Sequence, residues 1–348
     1  MRSNRGVGVQ WMDSDQKSIR SSGTNDHSIA VYPSMTLCRF TLLAFFFASP
    51  LLAAQSGSQS SSSISPPGIY SAIPDLRPAV GDEALSQDQI RELIRQVAEK
   101  DIENDKRQRN YTYVQREEEH KLDGKGQVKS VESHTSEVMI IYGDQVERRI
   151  AKNDKPLSEK DAAKEGEKIQ KIIDKRKNES EADRKKRREK EEKDREEGRE
   201  FVRDVSDAYN FQVVGIEPLD GRDAYVIDAE PRPGFVPHHK DAKVLSKFRF
   251  RMWIDKAESQ WVKLDARCID TVSWGLFIAR IHKGSRILID TTRVNDEVWL
   301  PKHVDVKIDA RLALLKGFNE DIDVTYRDYK KFRTNTKIVG VGELPERK

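Results

Sequence analysis

The segment from Lys247 to Phe332 alternates apolar and charged residues so regularly that it constrains the fold more than any other part of the chain. In its clearest run, residues 303–314, the even-numbered positions are all apolar: Val304, Val306, Ile308, Ala310, Leu312 and Leu314. The odd-numbered positions from 303 to 311 carry charged side chains or histidine. A helix cannot use a period of two, whereas a strand with one buried face requires it. The run therefore predicts a long, half-buried β-strand.

The neighbouring segments repeat this alternation. Phe248, Phe250 and Met252 alternate with charged residues, and residues 321–327 do the same. In the strand that contains Phe248, the alternation places Trp253 on the charged side. In the next strand, which starts at Gln260, it places Val262 on the apolar side and Trp261 on the charged side. Consecutive amphipathic strands joined by short polar turns predict one antiparallel sheet with an apolar face and a charged face. Another element must cover the apolar face.

A helix of about Asp88 to Arg109 is a candidate for this cover. Ser86 and Gln89 have the spacing of a capping box, in which the serine caps the helix and the glutamine side chain reaches back. Five apolar residues then follow at helical spacing: Ile90, Leu93, Ile94, Val97 and Ile102. They form one narrow apolar stripe between charged residues. We therefore expect this helix to pack on the apolar face of the sheet.

Residues 158–209 interrupt the strands with a charged helical insertion. Between Asp174 and Glu200 only four residues are uncharged: Asn178, Ser180, Ala182 and Gly198. Acidic and basic residues are interleaved there, so many pairs fall at i,i+4, each worth about 0.2–0.5 kcal/mol. The composition, typical of coiled coils, predicts a solvated and nearly free helix. It serves either as a solvated face only or as an arm that binds a partner.

The N-terminal part of the chain predicts export. Residues 40–54 are apolar but shorter than the roughly 20 residues that a spanning helix needs. Ala54-Gln55-Ser56 then gives a small-x-small cleavage pattern. We interpret residues 1–56 as a leader and signal peptide, with Met35 as an alternative start and an uncleaved anchor as the alternative interpretation. The expected location is the periplasm, with or without association with the outer membrane.

These boundaries leave one folded domain. Residues 57–83 are rich in serine, proline and glycine and predict a disordered linker. The domain is expected over residues 84–333, and residues 334–348 form a polar tail.

Composition and motifs give no indication of an enzyme. The 62 basic and 59 acidic residues leave a net charge of +3 in a mixed distribution, which does not imply a nucleic-acid partner. HExxH, GxSxG, phosphate-loop and CxxC motifs are all missing, so we predict no catalytic, metal or cofactor site. Of the two cysteines, Cys38 lies in the leader and Cys268 lies on the apolar face of a strand. We expect Cys268 to be a buried, inert thiol.

Several segments resemble periplasmic lipoprotein carriers. The hairpin of residues 253–263, with its Trp-Ile-Asp start and its Trp-Val-Lys end, is similar to a hairpin of those proteins. Residues 219–227, 298–301 and 326–329 add to the likeness, as does the order of signal peptide, helix, hairpins, insertion and long strands. From about Asp88 to Phe332, the chain resembles outer membrane lipoprotein-sorting proteins of the LolA/LolB-like superfamily.

The resemblance implies an α+β fold, an incomplete, half-open antiparallel β-barrel with covering helices, here with the long charged insertion added. It also implies a monomeric carrier that has no cofactor and holds the acyl chains of a lipoprotein or lipid in an apolar concavity. The inward-facing residues expected to line this concavity are Phe248, Phe250, Met252, Val304, Val306, Ile308 and Leu312.

Three alternatives stay open from the sequence. The helices could fill the concavity and leave no space for a ligand. The chain could be a scaffold of the cell envelope that carries no lipid and binds a protein partner through residues 158–209. A membrane-spanning barrel fits the alternation of the strands, but it conflicts with the charged insertion and with the low aromatic content of 7%.

Overall fold

The computed structural model describes residues 76–238, 240–274, 279–312 and 317–332. The predicted leader and signal peptide and the predicted tail lie outside these residues. Most of the predicted linker, up to residue 75, also lies outside them. So do Leu314 and the side chain of Leu312.

One antiparallel sheet organises the described residues. Its thirteen strands are β1 Tyr111–Leu122, β2 Val128–Ile141, β3 Asp144–Lys152, β4 Lys155–Pro156, β5 Tyr209–Leu219, β6 Arg222–Pro231, β7 Phe248–Asp255, β8 Gln260–Cys268, β9 Val272–Trp274, β10 Ala279–Ile281, β11 Arg286–Val294, β12 Val298–Leu312 and β13 Phe318–Lys331. The spatial order is β4-β3-β2-β1-β13-β12-β11-β8-β7-β6-β5, and the short β9–β10 hairpin pairs with β12. The two ends of the path, β4 and β5, do not pair. The fold is therefore the predicted α+β fold, an incomplete antiparallel β-barrel with helices.

The predicted first helix is confirmed. Helix α1 spans Gln87–Gln108, and its capping box is complete. The backbone N–H of Gln89 donates to Ser86 Oγ at 3.3 Å, and the backbone N–H of Ser86 donates to Gln89 Oε1 at 2.8 Å. The stripe residues Ile90, Ile94 and Val97 are buried against the sheet. We call the face of the sheet that they cover the inner face.

The insertion differs from the single free helix that we expected. It forms two helices, α2 Glu159–Lys177 and α3 Glu181–Ala208, because Ser180 caps a new helix by accepting a hydrogen bond from the backbone N–H of Asp183 at 3.1 Å. Helix α2 is not free either, since Ile169 and Ile172 pack against side chains of β2 and β3. The prediction missed this break because helix propensity is high on both sides of it.

Cross-strand neighbours on the inner face form continuous apolar rows. One row passes through Met252, Leu264, Ile289, Val304 and Val324 on five adjacent strands. Directly opposite residues in antiparallel strands have Cβ atoms about 5 Å apart and share a face. The predicted apolar face is therefore one surface that spans β7 to β13.

A β-bulge reverses the expected alternation in β8. Trp253 pairs with Lys263, but the next residue, Ile254, pairs with Trp261, so Val262 is the extra residue. The bulge turns Trp261 to the inner face and Val262 to the opposite, outer face, which is the reverse of the prediction. Val262 joins an apolar cluster there with Trp253 and Trp299. This part of the outer face is therefore apolar, although the alternation predicted it to be charged.

The first described residues pair with the free edge of strand β5. Arg77 and Ile216 exchange backbone hydrogen bonds of 2.9 and 2.8 Å. A Cβ atom on the neighbouring Gly215 would lie 2.6 Å from the carbonyl oxygen of Arg77, so this approach requires glycine. Arg77 also binds Asp223 at 2.6 Å. Residues 76–83 are therefore ordered, in contrast to the predicted disorder of residues 57–83.

Two loops also differ from expectation. The segment Ser273–Ile281, expected as a bend or a cover across the sheet, contributes the paired strands β9 and β10, and its residues 275–278 lie outside the described residues. The loop expected over residues 235–243 runs into a 3-10 helix at Lys240–Lys247. This short helix places Val244 and Leu245 against the inner face.

Candidate functional site

An apolar cavity of about 130 Å³ lies between the inner face and the helices. Its walls come from α1, the last turns of α3, the 3-10 helix and strands β7, β8 and β11. The lining residues are Ile94, Val97, Ala98, Asp101, Phe201, Val202, Val205, Val244, Leu245, Phe248, Phe250, Met252, Trp261, Leu264, Ala266, Ile287 and Ile289. Asp101 is the one charged residue among them. A cavity with this lining favours hydrocarbon over water.

Two helices from distant parts of the sequence form the roof. Ile94, Val97 and Ala98 lie on one face of α1, since residues three and four apart are neighbours on a helix surface. Phe201 and Val205 lie four apart on α3, directly after its charged stretch. The apolar end of α3 packs here because β5 begins at Tyr209 and fixes where the helix must end.

Aromatic side chains form one end of the floor. The rings of Tyr209 and Phe250 meet edge to face with centroids 5.0 Å apart, and Phe248 stacks beside Phe250 at 6.4 Å. The phenol of Tyr209 donates a hydrogen bond of 2.6 Å to the carbonyl oxygen of Leu245. Burial raises the pKa of Tyr209 well above its usual value, so the phenol stays a neutral donor. This bond fixes the 3-10 helix on the cavity.

Helix α1 is tied to the sheet by buried hydrogen bonds. Trp261 Nε1 donates to Asp101 Oδ1 at 2.8 Å at the edge of the cavity. One turn further, the amide of Asn104 accepts from the backbone N–H of Trp299 and donates to its carbonyl oxygen, both at 2.8 Å. Gln108 Nε2 donates to the same carbonyl at 2.9 Å. Asn104 thus bonds to β12 as a neighbouring strand would, and this part of the roof is rigid.

Several polar contacts hold helix α3 at its C-terminal end. Arg203 lies 3.6 Å from Glu99 on α1, the backbone N–H of Arg232 donates to the carbonyl oxygen of Ala208 at 2.8 Å, and Asp204 binds the loop before the 3-10 helix. The carboxylate of Asp204 is buried and accepts from the backbone N–H of His238 at 3.2 Å and contacts its Nδ1 at 2.6 Å. The His238 ring is 77% exposed. Its pKa is raised, first by Asp204 and more weakly by Asp207 and Glu200. The charged contact therefore stabilises the fold below the ordinary pKa of histidine and is lost as the pH rises through the raised value.

The predicted lining residues occupy two regions of the inner face. Phe248, Phe250 and Met252 line the cavity. Val304, Val306 and Ile308 are buried in the adjoining cluster on β12, beside the cavity and not in its wall. Leu312 is the last residue of β12. After the charged stretch, Phe201, Val202 and Val205 restore an apolar stripe, which predicts that the chain packs back on the fold there. The structure places this stripe in the roof of the cavity, a position that the sequence did not predict.

Beyond the apolar rows, the inner face of β1 and β13 carries carboxylates. Glu117 lies opposite Val324, and Glu119 lies opposite Ile322. Burial, then the neighbouring Glu147 and Glu119, raises the pKa of Glu117. Burial, then Glu119, raises the pKa of Glu320 to about 7. These groups make the inner face acidic at one side and apolar at the other.

Replacing Glu320 by glutamine is expected to stabilise the protein above neutral pH. A carboxyl group whose pKa is raised by folding stabilises below its ordinary pKa, and this contribution is lost as the pH rises towards about 7. Because the group is partly exposed, we expect a gain of only about 1 kcal/mol in unfolding free energy near pH 8, and almost none near pH 4. Urea unfolding at both pH values measures it.

Glu132→Gln is the matched control for this experiment. Glu132 lies at the strand pair β1–β2, and its pKa is lowered by the Lys152 ammonium. Its replacement is therefore expected to change stability with the opposite sign. An equal loss of stability in both variants at both pH values would contradict the effect expected for Glu320.

Burial also explains the low reactivity expected for Cys268, the one cysteine among the described residues. Cys268 is 2% exposed, and burial raises its pKa to about 11. The thiolate is therefore scarce at neutral pH, as expected for an inert cysteine.

Neither a metal-binding cluster nor a membrane-spanning helix is found among the described residues. Within the described ranges, no group of three or more His, Cys, Asp or Glu side chains could hold a metal ion. In the same ranges, no helix has the length and apolar character needed to cross a membrane.

Comparison with known proteins gives matches among solved structures. No protein-family model matches the chain, and no curated protein does. A DUF1329 family protein from Desulfovibrio piger is 10% identical, with a TM-score of 0.29, over 71% of this chain and 95% of that chain. A domain described as an outer membrane lipoprotein-sorting protein domain, from Vibrio parahaemolyticus, is 11% identical, with a TM-score of 0.26, over 70% of this chain and 95% of that chain.

A LolA superfamily protein from Nitrosomonas europaea matches over 73% of this chain and 96% of its own, at 10% identity and a TM-score of 0.24.

Proposed function

We propose that the protein is a periplasmic, non-enzymatic carrier that holds an acyl chain of a lipid or lipoprotein between its inner face and its helices. The observation that carries this proposal is the cavity, whose lining is apolar except for Asp101 and which is roofed by two helices with separate attachments. Packed cores leave few voids larger than a water molecule. A cavity of about 130 Å³ at the meeting point of two helices and a sheet is therefore unusual for a purely structural core.

The energy of binding would come from removing methylene groups from water. Each buried methylene contributes about 0.8 kcal/mol, so an acyl segment of about ten carbons contributes roughly 8 kcal/mol before the costs of association. The acyl segment itself needs no charged protein side chain to bind it. Binding would then depend on chain length more than on the chemistry of the head group.

The cavity must widen to take such a segment, because ligand pockets usually measure about 300–1,000 Å³. The two parts of the roof differ in how firmly they are held. Helix α1 makes buried hydrogen bonds to the sheet through Asp101 and Asn104. The charged contacts of the α3 end, by contrast, include exposed partners, because Asp204 binds the exposed His238 and Arg203 pairs with Glu99 at the surface. We therefore expect the end of α3, with Phe201 and Val205, to move when a ligand enters.

Native mass spectrometry of the protein purified from the periplasm of an expressing cell tests the proposal. The chain from Gly57 is expected to carry acyl species that organic solvent releases, and their masses identify the class of ligand. A clean unliganded mass, together with no binding of a fluorescent fatty acid, would mean that the helices fill the space and that the protein is not a carrier.

A second candidate is a scaffold that binds an envelope protein through α2 and α3. It is favoured by the exposure of the outward residues of both helices over about 30 positions of the insertion. Deleting residues 175–197 separates the two functions. A carrier keeps its acyl ligand after this deletion, whereas a scaffold loses its partner.

A further inference from the structure

The positive charge of the chain is concentrated where α2 meets α3. Residues 174–190 contain nine basic and five acidic side chains, a net charge of +4, whereas the whole chain has a net charge of +3. Five of the basic residues are consecutive, from Arg184 to Arg188. Clusters of four to eight Lys and Arg residues on a helix are typical of sites that bind anionic membrane surfaces.

The structure divides these cations into two sets. Arg176 and Arg187 point inward, where both bind Asp144 on β3, and Arg187 also binds Glu179. Of the other seven, Arg184 is half-buried, and the remaining six are exposed and lie outside this ion network. We call them the corner surface: Lys175, Lys177, Lys185, Lys186, Arg188 and Lys190.

The acidic residues near the corner surface neutralise it only in part. Asp174, Glu181, Asp183 and Glu189 are exposed among the six cations and keep their negative charge, because the partners of Asp174 and Asp183, Gln170 and Ser180, are neutral. The net charge of the corner surface with these four acidic residues is +2. Lys185 lies 3.8 Å from Glu189, but both side chains are well exposed, so this pair is weak. The corner surface therefore presents an excess of mobile ammonium and guanidinium groups to solvent.

We propose that the corner surface docks the protein on an anionic phospholipid bilayer. The surface has no exposed large apolar side chain, so the contact would be electrostatic and peripheral without insertion. The choice of a bilayer as partner rests on the proposed carrier function, because acyl cargo is collected from or delivered to membranes. Arg188 and Phe201 lie on the same helix, about 20 Å apart along its axis. Docking would therefore bring the helix that roofs the cavity to the membrane.

Flotation with lipid vesicles tests this docking. The chain from Gly57 is expected to bind vesicles of equal parts phosphatidylcholine and phosphatidylglycerol, and not vesicles of phosphatidylcholine alone. Binding should fall steeply with added salt, because screening shortens the reach of exposed charges. The triple variant Lys185→Glu, Lys186→Glu, Arg188→Glu should bind at least about tenfold more weakly, since each cation near such a surface contributes about 1 kcal/mol.

A matched control reverses three exposed cations on α1, by Arg91→Glu, Arg95→Glu and Lys100→Glu. It changes the net charge of the protein equally, so it should keep vesicle binding close to wild type. Equal weakening in both triple variants would show that net charge alone is responsible, and equal binding to neutral vesicles would show an apolar contact. Either result would overturn the proposal. The proposal would also be wrong if the protein were retained on immobilised polyglutamate but did not bind anionic vesicles. That result would indicate an acidic protein as the partner.

Two further measurements keep the result interpretable. Circular dichroism checks that α3 still folds, and the glutamine triple variant at the same three positions replaces the glutamate variant if it does not. Binding of a fluorescent fatty acid in vesicle-free buffer should be unchanged in the corner variants. Loss of docking with intact fatty-acid binding thus separates this inference from the carrier function on which it rests.

Discussion

Replacing Ala266 by leucine should weaken the binding of a fluorescent fatty acid by about tenfold or more. Ala266 lies on β8 in the floor of the cavity and is 4% exposed. The added carbons would occupy space that two or three methylenes of a ligand would fill, and each of these contributes about 0.8 kcal/mol. The unfolding free energy should stay within about 1 kcal/mol of wild type, because the cavity provides room for the larger side chain.

The same substitution at an exposed position provides the control. Ala182 is exposed on α3, so Ala182→Leu should leave both fatty-acid binding and stability unchanged. Fluorescence titration and urea unfolding of the two variants measure the effect. If Ala266→Leu bound the fatty acid as well as wild type while folding normally, the ligand would have to bind elsewhere, and the assignment of this cavity would be wrong.

Replacing Asp144 by alanine should destabilise the protein by about 3 kcal/mol, because it breaks a buried ion network. Asp144 accepts from Arg176 Nε at 2.8 Å and from Arg187 Nη1 at 3.1 Å. Arg176 is 6% exposed, so its guanidinium would lose a carboxylate in a place where water cannot replace it. Burial, and after it the nearby Glu191, raises the pKa of Asp144 in spite of the two arginines, so desolvation opposes the charged state of this carboxyl group.

In Asp144→Ala, the loss of stability should affect α2 and the start of α3 before it affects the whole domain. Hydrogen exchange is expected to accelerate over residues 159–190 while β7 and β8 keep their protection. Glu189→Ala is the comparison, because Glu189 is exposed and has only the weak pair with Lys185, so its removal should change stability by less than about 0.5 kcal/mol. Uniform acceleration across the whole sheet in Asp144→Ala would show that α2 and α3 are not a separate unit.

The strands and the first helix were predictable from sequence because their signals are local. The alternation from Val304 to Ile308 reflects one buried face, and the stripe from Ile90 to Val97 reflects one packed helix face. The inner face and its α1 cover follow from these two patterns. The sequence also indicated Phe248, Phe250 and Met252, because the residues of a strand that line the cavity lie on the same face as those that form the core, at every second position.

Other parts of the site depend on pairing between strands, which a single sequence does not contain. A bulge has no residue signature of its own, so parity alone placed Trp261 on the wrong face and missed its bond to Asp101. In the same way, the break before Ser180 depends on where β3 lies in space. The apolar stripe that begins at Phe201 indicates that the chain docks there, but not that it docks beside a cavity.

Helix α3 also has a mechanical consequence for the sheet. Near its start Arg187 binds Asp144 on β3, which lies next to the edge strand β4, and at its end Tyr209 begins β5, the edge strand at the other end of the open sheet. The helix therefore spans about 30 Å between β3, near one edge of the sheet, and β5 at the other edge. Its length sets the distance between these two strands, which cannot separate further unless the helix bends or the contact between Arg187 and Asp144 breaks. Adding one helical turn between Arg187 and Tyr209 would move the two strands about 5.4 Å further apart.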